Sequence, residues 1–316
     1  MSGFFTLLKG GNKPSFMAAI VNTFIGFLKM GAFFLTGNVA MFAEMMHSFG
    51  DAANQFFVFI GSALSKKAPT PKFPNGFGRV VNLVCLGAVI IVGILSYETV
   101  KEGIHHLLHP GESTGFLISL GVLGIAVLLE LFVLYKAADE ILHETGAEAK
   151  GLKVFILGFT NLRKAKPATK LVFMEDLVAT GGGVIAIIAI IISHYSGLGQ
   201  AEGIASIIIG LMMFYVVGRV FLENARGAIG ETDDEMRQHI AAIVLSDEHV
   251  KDIQRIEVIK EGEHLHVEVE IEVDPTLTIA EADDIKDRLS ILIYAQKGVS
   301  DVIIEFDEDN LIAEWT

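Results

Sequence analysis

The sequence predicts an α-helical polytopic membrane protein, with six transmembrane helices followed by a C-terminal α+β domain in water. Three observations predict it. First, 52% of the residues are hydrophobic and the mean hydropathy is +0.52, too apolar for an ordinary soluble chain. Second, six apolar stretches are each long enough to cross a hydrocarbon core, which takes roughly 20 residues. Third, the charge is split. Ile229 to Thr316 holds 24 acidic and 7 basic residues, a net −17, which leaves about +3 for the rest of a chain whose total is −14. We therefore expect a membrane domain, 1–228, and an acidic aqueous domain, 229–316. Such a tail repels nucleic acid and attracts cations, so no nucleic-acid partner is expected.

The expected spans run near Phe16–Thr36, Val39–Leu64, Val80–Tyr97, Gly115–Tyr135, Leu171–His194 and Ala201–Leu222. The second contains Glu44, His47, Asp51 and Gln55 at spacings of three and four. That is one stripe of a helix, which can face a bundle interior while the remainder faces lipid. Alternate loops are rich in Lys and Arg: Lys66, Lys67, Lys72 and Arg79 after span two, and Lys136, Lys150, Lys153, Arg163, Lys164, Lys166 and Lys170 before span five. With Lys9 and Lys13 before the first span, this bias puts both termini in the cytoplasm. Residues 1–13 are too short for a cleaved secretory signal, so targeting is expected from the first span. Cys85 is the one cysteine, which excludes an intrachain disulfide or a thiolate cluster. Gly181, Gly182 and Gly183, then Gly203, Gly210 and Gly218, suit close helix packing. The stretch from Ala137 to Lys170 reads as a long loop.

In the tail, DDEMRQHIAAIVLS has helical periodicity after an acidic start. DIQRIEVIKEGEHLHVEVEIEV reads as two strands around Glu261-Gly262. A helix capped by Thr278 and a third strand, VSDVIIEFD, complete an α-β-β-α-β order, a sheet with helices on one face.

Asp51 and Asp176 carry the functional expectation. A carboxylate within a span costs several kcal/mol and marks a functional site. His47, four residues before Asp51, shares its helix face. Glu175 adjoins Asp176. One imidazole with two or three carboxylates suits a small divalent metal. The pair His47/Asp51 is, on spacing alone, equally a hydrogen bond tying helices together. Glu175 and Asp176 are about 100° apart on an ideal helix, so unequal roles are expected, with Asp176 the stronger ligand. Glu130, in VLLELFVL, reads as a proton acceptor, a contact of a span-two or span-five group, or a buried neutral acid. IHHLLH, with His105, His106 and His109, reads as the interfacial end of a helix. His264 and His266 lie on a face that reads as solvated and acidic.

With these residues in view the chain resembles the cation diffusion facilitators. Span one has VNTFIGFLKM, with Asn22 and Lys29. Span two begins LTGNVAMFAEMMHSFGDAANQ, with HxxxD, and FPNGFGR precedes span three. One departure concerns span five, where Val172 stands at the family's ligand position four residues before its aspartate, and Glu175 is adjacent instead. The resemblance implies a metallochaperone-like cytoplasmic domain, a homodimer, and proton-coupled efflux of a divalent metal, Zn²⁺ foremost. Its site would be His47, Asp51 and Asp176 with Glu175. The metal is then substrate, with no resident cofactor and no enzymatic step. The alternatives are an exporter of Fe²⁺, Mn²⁺ or Co²⁺, or a non-transporting membrane sensor or scaffold. The inner membrane of a bacterial cell is the expected location.

Overall fold

The computed structural model describes residues 10–111, 113–162, 165, 167–262 and 264–315. Of the basic residues behind the orientation, Lys9, Arg163, Lys164 and Lys166 lie outside the described residues, as does the side chain of Lys170. The helices are α1 (Lys13–Thr36), α2 (Val39–Ser65), α3 (Val80–Leu108), α4 (Phe116–Thr145), α5 (Lys153–Asn161), α6 (Pro167–Ser196) and α7 (Gln200–Ile229). The tail adds α8 (Asp234–Leu245), β1 (Val250–Glu261), β2 (His264–Val273), α9 (Ile279–Tyr294) and β3 (Val299–Glu308). The described residues form two compact units: 12–59 with 85–222, and 10–11 with 60–84 and 223–315.

Among the described residues five helices, α1, α3, α4, α6 and α7, are long and apolar enough to cross a membrane. The remaining long helix, α2, has 27 residues. At 1.5 Å per residue that is roughly 40 Å, ample for a core of roughly 30 Å. Its polar stripe dilutes its hydropathy. Most of its first half is buried, with Ala40, Met41, Ala43 and Glu44 at 0% exposure, so it is an inner helix. The outer helices turn large apolar side chains outward, among them Phe24, Phe34, Ile90, Ile125 and Leu128. Lipid is the solvent that suits such faces.

Local chemistry fixes the turn from α1 to α2. Gly37 ends α1 at φ 65°, which glycine adopts without a Cβ clash, and its N–H donates to Phe33 O at 2.8 Å. Asn38 Oδ1 then accepts from Met41 N at 2.9 Å, capping α2. Helices run past the apolar stretches that announced them: α3 reaches Leu108 and α4 reaches Thr145. The stretch 137–170 is therefore mostly helical, which corrects the expected loop. Its short helix α5 packs on α4, where Ala138, Ile141, Leu142 and Val154 share a core with Phe173. Gly158 lies close on Ala138, and a Cβ there would meet Ala138 Cβ at 2.9 Å.

The tail has the expected order. Its sheet runs β1-β2-β3, with β1 antiparallel and β3 parallel to β2. Val258, Val267, Val269 and Ile271 turn to one face, where Ile240, Val244, Ile285, Leu289 and Ile293 from α8 and α9 cover them. Thr278 and Glu281 form a reciprocal capping box at the start of α9. The hairpin turn at Gly262, φ 69°, lies against Gly78 of the FPNGFGR segment, and Arg79 pairs with Glu261 at 3.2 Å.

Candidate metal centre

The polar stripe of α2 faces inward. His47 is 7% exposed, and its Nε2 stands 3.4 Å from Asp51 Oδ2. That is ion-pair distance without hydrogen-bond geometry, so His47 Nε2 has no hydrogen-bond partner among the described residues. A buried ring nitrogen beside a carboxylate is a donor set for a borderline cation.

Asp51 and Glu175 line one cavity of about 30 Å³ with Gly50 and Asn54 of α2. Val89 and Val92 from α3, and Val216, Val217 and Val220 from α7, wall it. Asp51 of α2 and Glu175 of α6 thus line one small pocket with Asn54, walled otherwise by valines and Gly50. Asp176 is not among the lining residues. Its Oδ2 is buried without a hydrogen-bond partner among the described residues, and its charge interacts with those of Asp51 and Glu130. The adjacent acids therefore point differently, as one helical step requires, but Glu175 is the one that shares the Asp51 cavity. Among the described residues no three His, Cys, Asp or Glu side chains are gathered closely enough to hold one ion together. The structure brings His47 to Asp51, and Asp51 to Glu175, without closing all four into one shell.

A second polar cluster lies on the same stripe. Lys29 of α1 is 0% exposed and donates to Glu44 Oε2 at 2.8 Å and to Glu130 Oε1 at 3.5 Å. Three helices are joined by one ammonium. Glu130, for which the sequence named no cationic partner, has one 101 positions away. Lys29 is the residue that sequence reasoning left without a role. A lysine within an apolar span was the available signal. The glycines of α6 make the space: a Cβ at Gly182 would meet Glu44 Oε1 at 2.9 Å, and one at Gly183 would collide with Val127. Gly218 does not share this role, since nothing lies within 4 Å of a Cβ there.

Of the other histidines singled out in the sequence, His106 and His266 are more buried than an interfacial or solvated reading expects. His105 and His109 are exposed at the end of α3, and buried His106 stands 4.0 Å from Glu202. In the tail, His266 is held on both ring nitrogens, by Glu268 and by Asp301, each at 2.9 Å. Partial burial opposes its charge, but the hydrogen bond to Glu268 and the charge of Asp301 outweigh it and raise its pKa above the ordinary 6.5.

Comparison with known proteins agrees with this architecture. A family model described as "Cation efflux transmembrane domain" matches residues 15–227, and one described as "Cation efflux protein, cytoplasmic domain" matches 232–309. The chain is 26% identical over 260 residues to the Xenopus laevis protein named proton-coupled zinc antiporter SLC30A9, mitochondrial, covering 81% of this chain and 45% of that protein. It is 24% identical over 241 residues to metal tolerance protein C4 of Arabidopsis thaliana, covering 74% and 51%. It is also 21% identical over 305 residues to the cation-efflux pump FieF of Cronobacter sakazakii, covering 96% and 95%. The chain thus spans about half the length of the first two relatives and nearly all of the third. Both family models, the membrane helices and the α+β tail lead to one assignment: the chain belongs to the cation diffusion facilitator family, whose members are transporters rather than enzymes.

Proposed function

We propose that this protein exports a divalent metal cation, Zn²⁺ foremost, in exchange for protons, as a homodimer in the inner membrane of a bacterial cell with both termini cytoplasmic. The observation that carries this reading is the pairing on α2: a buried imidazole nitrogen 3.4 Å from Asp51, which shares a cavity with Glu175. His47 offers one nitrogen, and Asp51, Glu175 and Asp176 offer hard oxygens, a set that suits Zn²⁺ and admits Fe²⁺, Mn²⁺ or Co²⁺. Binding requires these groups deprotonated, so protons arriving from the far side release the ion. Alternating access then comes from rocking of the helix bundle around the site. The name of the Xenopus relative supports zinc and proton coupling. The bacterial relative, matched over 95% of its length, supports the bacterial location.

Metal uptake by liposomes bearing the purified protein tests the reading. Asp51→Ala is expected to abolish zinc flux while leaving a folded dimer. Flux retained by that variant sinks the site, and wild-type protein that binds zinc but never moves it favours a sensor. Deleting 231–316 is expected to weaken the dimer and slow transport without removing the ion path.

A further inference from the structure

We propose that Lys29, Glu44 and Glu130 form a proton-binding site of their own, apart from the metal ligands, which holds one exchangeable proton between its two carboxyl groups. The cluster sits inside the helix bundle, with Lys29 and Glu44 both at 0% exposure. One ammonium faces two carboxylates, so the fully ionised cluster carries a net −1. Charge left uncompensated at membrane depth is costly, and one proton makes the cluster neutral.

The oxygens say where that proton goes. Lys29 uses Glu44 Oε2 and Glu130 Oε1. The other two, Glu44 Oε1 and Glu130 Oε2, are buried without a hydrogen-bond partner among the described residues. Both face the bare α6 backbone. A Cβ at Gly182 would meet Glu44 Oε1 at 2.9 Å, and one at Gly183 would lie 3.4 Å from Glu130 Oε2. An ionised carboxylate only accepts hydrogen bonds; a protonated one also donates. The other titratable groups that act on the cluster are His47 and Asp51 from α2 and Asp176 from α6.

Glu44 lies one helical turn before His47 on the same stripe. This step rests on His47 and Asp51 being the metal site. A divalent cation arriving there adds positive charge one turn away and favours the ionised cluster. The carboxylic O–H bond breaks, its electron pair stays on the carboxylate facing Lys29, and the proton passes to water. Loading the metal thus expels a proton that no metal ligand carried.

Calorimetry of Zn²⁺ binding to the full-length protein, in buffers of different ionisation enthalpy, counts protons released per ion. Glu130→Gln and Glu44→Gln each leave a neutral Lys–Glu pair, so each is expected to release about one proton fewer than wild type. Zinc affinity at alkaline pH should be retained in both. Lys29→Arg, which keeps the charge, is expected to restore the wild-type count. An unchanged proton count in Glu130→Gln overturns the proposal, and that variant serves even if Glu44→Gln does not fold, because the Glu130 side chain is 19% exposed. Failure of the metal reading is a separate result: Asp51→Ala would then bind zinc as tightly as wild type.

Discussion

Lys29 and Arg255 are both basic residues set among carboxylates, one in a membrane helix and one on the sheet of the tail. Lys29 is wholly buried against Glu44 and Glu130. Arg255 is 51% exposed and reaches Glu257, Glu270 and Glu305 at 3.5–3.9 Å. The contacts look alike on paper, but the surroundings differ. Water screens Arg255 and offers every partner an alternative, so the pairs are worth little individually. Around Lys29 there is no such alternative, and each charge holds the others in place. The tail therefore tolerates a net charge of −17, while the helices admit few charges and bring Lys29, Glu44 and Glu130 together from three of them.

Matched substitutions sharpen that contrast. Lys29→Met leaves two carboxylates buried without their cation and is expected to cost about 3–5 kcal/mol, read from thermal unfolding in detergent. Arg255→Met is expected to cost about 1 kcal/mol or less. Equal costs would break the comparison. Gly183→Ala forces a methyl into Val127 beside the triad and is expected to cost about 1–3 kcal/mol by the same measurement.

The acid pair gives a functional test at the cavity. Glu175→Gln is expected to weaken zinc binding more than Asp176→Asn, because Glu175 shares the cavity with Asp51. Calorimetry of both variants at one pH decides it. A greater loss for Asp176→Asn returns the main role to the residue that helical geometry alone favoured.

The smallest effect lies in the tail. The native pKa of His266 is raised by Glu268 and Asp301. Its ion pairs therefore contribute fully below the ordinary histidine value, and the contribution is lost as pH rises through the raised native one. The expected size is about 1 kcal/mol or less. Trp315, the one tryptophan, packs against the tail core, so its fluorescence during urea unfolding reports this unit. His266→Gln should flatten the pH dependence. An unchanged slope assigns it to other groups.

Much of the fold was legible because a span is announced by composition and a strand by alternation. The tail order, its hairpin and the Thr278 cap all rest on close neighbours in sequence, and all appear as read. What could not be read depends on distance in sequence. The pairing of Glu130 with Lys29 was not legible because the partner lies 101 positions earlier. Gly182 and Gly183 suggested packing, but not that carboxylates would fill the space they leave. Helix α5 was missed because nine residues, KVFILGFTN, hold too few turns to show their period clearly. In the site, the i, i+4 spacing of His47 and Asp51 sufficed for that pair. The orientation of Glu175 depended on how α6 turns in its socket, which no local spacing encodes.

Between α3 and α7 the backbones nearly touch. A Cβ at Gly103 would stand 2.9 Å from Gly203 O, one at Gly203 would stand 2.8 Å from Leu107 N, and Ser206 bonds Thr99 O at 3.0 Å. A joint this close, with only Ser206 Oγ bridging it, has no room for an acyl chain either. Lipid cannot wedge these helices apart, and bilayer thickness or composition acts on them together. They meet the membrane as one broad plank rather than as two rods.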